Sequence, residues 1–348
     1  MSKKKSTAKK KPAPPKFYVG LDIGGSTVKS AVVDSKGKQV GRMYEVPSFV
    51  DQGYRKTFSQ MTESFDQLLA DNGIKKSQVG GIGMDVPAPS CDGVIWSQAN
   101  LSKDWVGVNV RDSFAKSIKK KVFMTNDGSA AAYGEFALRR RKIKGMLFCA
   151  PGTGLAGGLI LENGDIYEGC NGLALEIGHV SSPFREDGKL PKCGCGKKGC
   201  VEAHVSLVAL RRQLAARLKL AKYKNHPLNK ERLNIKAKAF KLRDLADQGD
   251  KLALELFDHQ GFVLGYALAD QAHELNPEVI VIGGGLSEAG FRETFMKSIK
   301  RGFAERALPS YQKSPLKPHQ PTITFEWAIG GDAGAALGVA LKARDVFA

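Results

Sequence analysis

The sequence predicts an α/β chain with a duplicated layout, and three observations carry that prediction. A strand, a turn rich in glycine and hydroxyls, and a second strand occupy residues 17–34. The same arrangement returns at residues 145–161, about 130 residues later. Elsewhere, segments with apolar residues at helical spacing alternate with short β-branched runs, as when strands and helices interleave. A wholly apolar run, Val279–Ile282, feeds three glycines and then a helical segment. Glycines there let a flat ligand or a phosphate approach the backbone closely, and a tight strand-to-helix turn is the plainer alternative. The repeated hairpins suggest a phosphate held between two halves.

The 348 residues suffice for two ordinary domains, and at 42% hydrophobic they can bury sizeable cores. No apolar run reaches the ~18–20 residues of a membrane span, so no membrane partner is expected. Residues 1–16 carry seven lysines, no acid and no apolar stretch, and read as a disordered basic tail rather than a secretory signal. The formal net charge is +18, of which the tail holds +7 and the rest +11. Such a surface attracts polyanions, but solubility and weak non-specific binding account for it, and no specific nucleic acid is expected. Six cysteines, three of them in one cluster, fit a reducing compartment and hence a cytoplasmic location. Cys91, Cys149 and Cys170 stand singly and read as inert.

In chain order, Phe17–Asp34 is a hairpin whose turn, Gly24-Gly25-Ser26-Thr27, can offer N–H groups and hydroxyls to a phosphate. Asp22 ends the first strand, where it meets a metal ion or its waters. The spacing is neither that of a P-loop nor that of a dinucleotide fingerprint, and turn chemistry alone also explains it. Phe58, Met61, Phe65 and Leu68 share a helix face that Asp71-Asn72-Gly73 stops. Val79–Val86 is a strand with a rigid exit, Pro87-Ala88-Pro89. Asn100, Leu101 and Trp105 follow in a polar loop, with Trp105 facing either a ligand or the core. Lys121–Asp127 is a strand that delivers Asn126 and Asp127 to its carboxyl end, before a helix at 130–141. An Asx helix cap and a general base are both open roles there, and they are compatible.

The second hairpin opens with Gly145–Cys149, turns through a Gly/Thr stretch at 151–158 and returns at 159–161. Leu207, Leu210, Leu214 and Leu218 mark a helix. Residues 219–243, with nine cations against Glu231, read as a solvated helical excursion. Leu252–Leu275 is helical up to Asn276-Pro277, and the glycine run after strand 279–282 leads to a helix around 291–303. A second glycine turn at 330–334 opens an Ala-rich terminal helix.

Between the second hairpin and the leucine helix, Cys193, Cys195 and Cys200 fall within eight residues, with His179 fourteen residues before the first of them. A Cys3His set at this spacing suits tetrahedral zinc, and its glycines free the loop to turn three thiolates onto one ion. Four protein ligands leave no open position, so this zinc is expected to be structural, orienting Glu176, His179 and Glu202 around it. Free or disulfide-bonded cysteines in a surface loop are the plainer alternative.

Asp22-Ile23-Gly24-Gly25-Ser26-Thr27, Asn126-Asp127, Gly152-Thr153-Gly154, Glu176-Ile177-Gly178-His179, the Cys-x-Cys-Gly-x-x-Gly-Cys-x-Glu run and Gly283-Gly284-Gly285 occur in an order that resembles the ROK family, over about Tyr18 to Leu341. The resemblance implies two RNase H-like (actin-like ATPase) domains with a cleft between them. Residues 17–134 would form the N-terminal domain, joined by a C-terminal helix at 332–348, and residues 135–331 the C-terminal domain, with the zinc loop at 179–202. It implies that Asp127 is the general base for a sugar 6-hydroxyl. Asn126, Glu176, His179 and Glu202 would hold the other hydroxyls, with Asn100 a further member. Gly24, Gly25, Ser26, Thr27, Gly152, Thr153 and Gly154 would hold ATP phosphates, with Lys29 nearby and Asp22 near magnesium. Gly283, Gly284, Gly285 and Leu286 would line the adenosine. His179 would serve both zinc and sugar. Against the family pattern, Gly-Gly-Ser-Thr replaces Gly-Gly-Thr-Lys, Asp85 and Ala88 stand in a loop commonly rich in glycine, and Gly128 follows the base in place of alanine.

The function this implies is ATP-dependent phosphorylation of a hexose, glucose first, with Mg2+ accompanying ATP and a homodimer or homotetramer as the assembly. Fructose, mannose, N-acetylglucosamine or N-acetylmannosamine as substrate, or polyphosphate as donor, keep the same chemistry. A sugar-responsive repressor would need a helix-turn-helix, for which the 16 residues before the first strand are too few. An inactive sugar-binding protein is the third reading.

Overall fold

The computed structural model describes residues 17–98, 101–314 and 320–348. The basic tail and Asn100 lie outside the described residues.

The predicted first hairpin is β1 (Phe17–Ile23) and β2 (Thr27–Asp34), antiparallel from Phe17↔Asp34 to Ile23↔Val28. β3 (Tyr44–Pro47) pairs with β2, and α1 (Tyr54–Asp71) buries Met61, Phe65 and Leu68. β4 (Val79–Val86) joins β1 in parallel. A small hairpin, β5 (Ser90–Cys91) and β6 (Val94–Ile95), and then α2 (Val110–Ile118), precede β7 (Val122–Asn126), which runs parallel to β4. The first sheet thus has the order β3-β2-β1-β4-β7.

α3 (Asp127–Arg139) leads to the second half. There β8 (Met146–Pro151) and β9 (Leu155–Ile160) repeat the antiparallel hairpin. Four helices follow: α4 (Leu207–Arg217), α5 (Pro227–Lys230), α6 (Ile235–Asp247) and α7 (Lys251–Leu275). β10 (Val279–Ile282) enters beside β8 in parallel. After α8 (Arg292–Arg306) and α9 (Pro309–Gln312), β11 (Thr324–Trp327) closes the order β11-β10-β8-β9, and α10 (Gly334–Phe347) ends the chain. In both sheets a hairpin's first strand is flanked on its other side by later, parallel strands. The α/β duplication read from the sequence is therefore the architecture.

Period-2 alternation divides the strands between cores. Val19, Leu21 and Ile23 of β1 face α1 and α2, with Phe65, Trp105 and Phe114. Tyr18 faces the other way, into a core that both sheets share with α3 and α10. Beyond the second sheet lies the largest core, built with α4, α6, α7 and α8.

α10 reaches its place through glycine. A Cβ on Gly20 of β1 would lie 1.8 Å from the Ala336 carbonyl oxygen, and one on Gly83 of β4 would lie 1.9 Å from that of Val339. The α3–α10 crossing is equally close. A Cβ on Gly338 would meet the Ala130 carbonyl oxygen at 2.0 Å, and one on Gly134 that of Gly334 at 2.2 Å. Backbone thus lies against backbone where side chains ordinarily interdigitate.

One open alternative is settled and two expectations are corrected. Trp105 is fully buried, with its indole N–H donating to the Val50 carbonyl at 3.0 Å, so the core reading holds. β9 begins at Leu155, which puts Gly157 and Gly158 inside the strand, where a Cβ on Gly157 would meet the Leu175 carbonyl oxygen and one on Gly158 that of Gly128, each at 2.6 Å. Residues 219–243 are not a solvated excursion: Tyr223, Leu228, Ala239 and Leu242 pack into the largest core, while most of the cations, with Leu220, Leu233 and Phe240, face outward. Among the described residues no helix is long and apolar enough to cross a membrane.

Candidate active site

Parallel pairing sets Asp22 of β1 beside Asp85 of β4, and β7 ends next to them at the start of α3, where Asp127 stands. Three carboxylates therefore meet at the carboxyl ends of three adjacent strands. Asp85 is fully buried. Its Oδ1 accepts the Ile23 N–H at 3.3 Å, no N–H or hydroxyl reaches its Oδ2, and its carboxyl pairs with that of Asp22. Burial, then the charges of Asp22 and Asp127, push the Asp85 carboxyl well above the usual range. Burial also lifts Asp22, to about 6, against the easing influence of Asp85 and Lys29. Asp127 is raised by burial and held back by the N–H groups of Gly128 and its own residue.

Asn126 Oδ1 accepts the Ser129 N–H at 2.7 Å and so caps α3, while Asp127 adds negative charge to the first turn. The helix-cap role is thus real, and it fixes the residue that precedes Asp127.

A cavity of about 270 Å³ opens beside these acids, lined by Asp22, Asp127, Gly284, Gly285, Glu288 and Asp332 among others. Lys29 reaches Asp332 at 3.3 Å. Gly284 takes φ 76° after β10 and lies against the Pro151 carbonyl, so only glycine fits. Gly283 and Leu286 do not line this cavity: Gly283 abuts the Phe148 ring, and Leu286 packs against the core. At the turn of the first hairpin, the Gly24 N–H donates to the Thr27 carbonyl at 2.8 Å, and Gly25 has open space above it. The larger cavity, about 470 Å³, touches the candidate set only at Asn126.

The second hairpin's turn joins the acids to the cysteine loop. Gly154 faces Glu202, whose Oε2 accepts the Leu155 N–H at 3.0 Å. Glu176 is raised by burial, drawn down by His179 and raised again by Asp127 and Glu202, so these four groups share one field. Leu175, just before Glu176, takes a left-handed φ of 64° that leucine rarely adopts.

His179, Cys193, Cys195 and Cys200 bring their ligand atoms within 4.8 Å of one another. Cys193 Sγ lies 3.7 Å from His179 Nδ1, and Cys195 Sγ lies 3.7 Å from Cys200 Sγ. A tetrahedron of thiolates around zinc has edges of about 3.7 Å, so the donor set fits that ion. Gly196 and Gly199, at φ 88° and 78°, make the turns. Cys193 Sγ also touches Glu202 Oε1 at 3.4 Å, which links the loop to the acid beside the hairpin turn.

Two partners escaped the sequence reading. Asp85 registered only as a departure in a loop, although its place opposite Asp22 makes it a third acid. Glu135 is buried on α3, paired with Arg139, and accepts the Ile329 and Gly330 N–H groups at 2.7–3.0 Å. Arg139 in turn meets Glu326 at 2.9 Å. This network anchors the glycine turn that carries Asp332. Its only sequence signal is an i,i+4 Glu–Arg pair, which reads as an ordinary surface pair.

The carboxylate pair predicts a pH effect. Asp22 binds its proton more tightly folded than unfolded, so that stabilisation is complete below 3.8 and is lost as pH rises through about 6. Asp22→Asn should therefore raise the Tm of metal-free protein at neutral pH, worth about 3 kcal/mol. Thermal scans on both sides of that window check it; equal Tm values at neutral pH would count against the assignment.

The ROK family model matches residues 18–345. A glucokinase from Halalkalibacterium halodurans is 34% identical over 297 residues, covering 84% of this chain and 87% of that one. A glucokinase from Thermotoga maritima is 32% identical over 84% of this chain and 89% of its own length. The crystal structure of a ROK family glucokinase from Streptomyces griseus in complex with glucose and AMPPNP superposes with a TM-score of 0.74 at 24% identity, over 94% of this chain and 99% of that one.

Proposed function

The chain belongs to the ROK family, and we propose that it is a glucokinase, transferring the γ-phosphoryl group of ATP to the 6-hydroxyl of glucose. The observation that carries this reading is the position of Asp127. It lines the acid-and-glycine cavity with Asp22, Gly284 and Gly285, and it also shares the field of Glu176, His179 and Glu202. A carboxylate common to a donor cavity and a hydroxyl-binding set suits proton removal from an acceptor held between them.

In this mechanism Asp127 takes the proton of the glucose 6-hydroxyl as O6 bonds to phosphorus. The bond from phosphorus to the bridging oxygen breaks, and ADP leaves. Its raised affinity for a proton makes it a stronger base than an exposed aspartate. Asn126, Glu176, His179 and Glu202 bind and orient the sugar, His179 through the ring nitrogen not turned to Cys193. The turns at Gly24–Thr27 and Gly152–Gly154 and residues Gly284 and Gly285 seat the nucleotide. The Asp85 Oδ2 beside Asp22, reached by no N–H or hydroxyl, suits a divalent cation, so these two residues would hold Mg2+, which neutralises phosphate charge when bound.

His179, Cys193, Cys195 and Cys200 would hold a zinc ion with four protein ligands, and that would fix His179 and Glu202 in place. Cys195→Ser should lose the metal and raise the KM for glucose about 10–100-fold, with kcat changing less. Metal analysis and steady-state kinetics on the same preparation check this, and a zinc-free variant with unchanged KM would count against it.

The function is tested by a coupled phosphorylation assay on zinc-loaded protein. A panel of hexoses is offered ATP or polyphosphate, at low and high salt. Glucose with ATP is the expected pair. Preference for another hexose, or for a salt-sensitive polyphosphate donor, would replace this reading, and no turnover by folded, metal-loaded protein would end it.

A further inference from the structure

Away from the cleft, three side chains with metal-ligating atoms converge where the kinase chemistry needs none of them. Glu186 from the outer part of the zinc loop, His204 four residues after Cys200, and His259 of α7 each bring one ligand atom within 4.8 Å of the other two. His204 is fully buried, and neither of its ring nitrogens makes a hydrogen bond of normal geometry, with only a weak contact to the Phe184 backbone. Glu186 Oε1 stands 3.7 Å from His204 Nδ1, beyond hydrogen-bonding range. Leaving a buried polar group in that condition costs folding free energy, and the rare native cases call for an unseen water, an ion or a chemical role.

The surroundings resemble the outer shell of a metal site. Arg212 donates to both Glu186 oxygens at 2.9 and 2.8 Å, and Gln213 donates to Oε1 at 3.0 Å. These bonds aim the carboxylate and leave it one lone pair, on Oε2, for an ion. The Phe184 ring stands edge-on to His204 at 6.4 Å and shields it. Burial lowers both imidazoles, His204 to about 4, so both are neutral, the form that binds metal.

We propose that Glu186, His204 and His259 form a binding site for a divalent transition-metal ion, separate from the Cys3His set. Two imidazoles and one carboxylate suit zinc, cobalt(II) or nickel. Tetrahedral coordination brings such donors to about 3.4 Å from one another, so the site contracts on filling. Its fourth position is open, and with Arg212 nearby the filled site carries excess positive charge, which favours hydroxide or chloride there. The ion would pin the zinc loop and the segment after Cys200 to α7.

The test is equilibrium dialysis of the full chain against excess free zinc, followed by metal analysis, on wild type, His259→Gln and Glu186→Gln. The expected result is one ion per chain fewer in each variant than in wild type. With cobalt(II), the thiolate charge-transfer band of the Cys3His site should stay unchanged in both variants, showing that the loop is folded. That readout does not depend on turnover or on which sugar is phosphorylated. Equal zinc content in wild type and in both variants, with the thiolate band intact, would overturn the proposal. If one variant misfolds and loses the band, the other decides.

Discussion

Asp127→Asn is expected to lower kcat by about 10²–10⁴-fold, the usual contribution of a positioned general base, and to leave glucose affinity nearly unchanged. The amide keeps the shape of the carboxylate and still accepts the Gly128 N–H at the start of α3. What it loses is the capacity to take a proton. Because burial raises the carboxyl, the wild-type kcat/KM should fall as pH drops through that raised value, and the residual activity of the variant should lack this limb. Burying a charge also costs stability, so the variant should unfold at or above the wild-type temperature. Calorimetric titration with glucose, a pH profile and a thermal scan separate the outcomes. Full turnover in a folded variant would remove Asp127 from the mechanism.

Gly338→Ala is expected to destabilise the chain by about 3 kcal/mol, the upper part of the usual range for overpacking, and to reduce activity with it. Helix propensity alone predicts the opposite sign, since alanine in a helix interior is better than glycine by about 1 kcal/mol. The added methyl would sit 2.0 Å from the Ala130 carbonyl oxygen and 2.8 Å from the Gly134 nitrogen, both backbone atoms that cannot rotate away. Relief requires α10 to move from α3 or from β1 and β4, and α3 carries Asp127 at its first turn. Val346→Ala, at an exposed position of the same helix, is the control. Denaturant unfolding measures both, and a stabilised Gly338→Ala would show that the crossing has slack.

Much of this was readable in the chain, and what was not shares a physical cause. The paired hairpins, the buried strand at Val279–Ile282 and the Asn126-Asp127 strand end are local patterns, and local periodicity reports them. The α3–α10 crossing is invisible to such patterns. Gly134, Gly334 and Gly338 look like weak helix positions until the partner backbone is known. Asp85 failed to register because its meaning lies in the parallel register with Asp22, set by pairing across 63 residues of sequence. Residues 219–243 misled through their charge, because the lysines on one side hid Leu228, Ala239 and Leu242 on the other.

The acid-lined donor cavity has one more consequence. Asp22, Asp127, Glu288 and Asp332 face the same small volume, and Lys29 already has Asp332 as its partner. Like charges that share so small a volume repel, more strongly at the effective dielectric of a protein surface than in bulk water. A bare triphosphate would bring its own negative charge into that field, whereas a triphosphate carrying its divalent cation brings much less. If the nucleotide seats there as proposed, the cavity would act as a charge filter. It would discriminate between metal-bound and metal-free nucleotide before any chemistry starts, and the rate should then follow the concentration of the complex rather than that of total nucleotide.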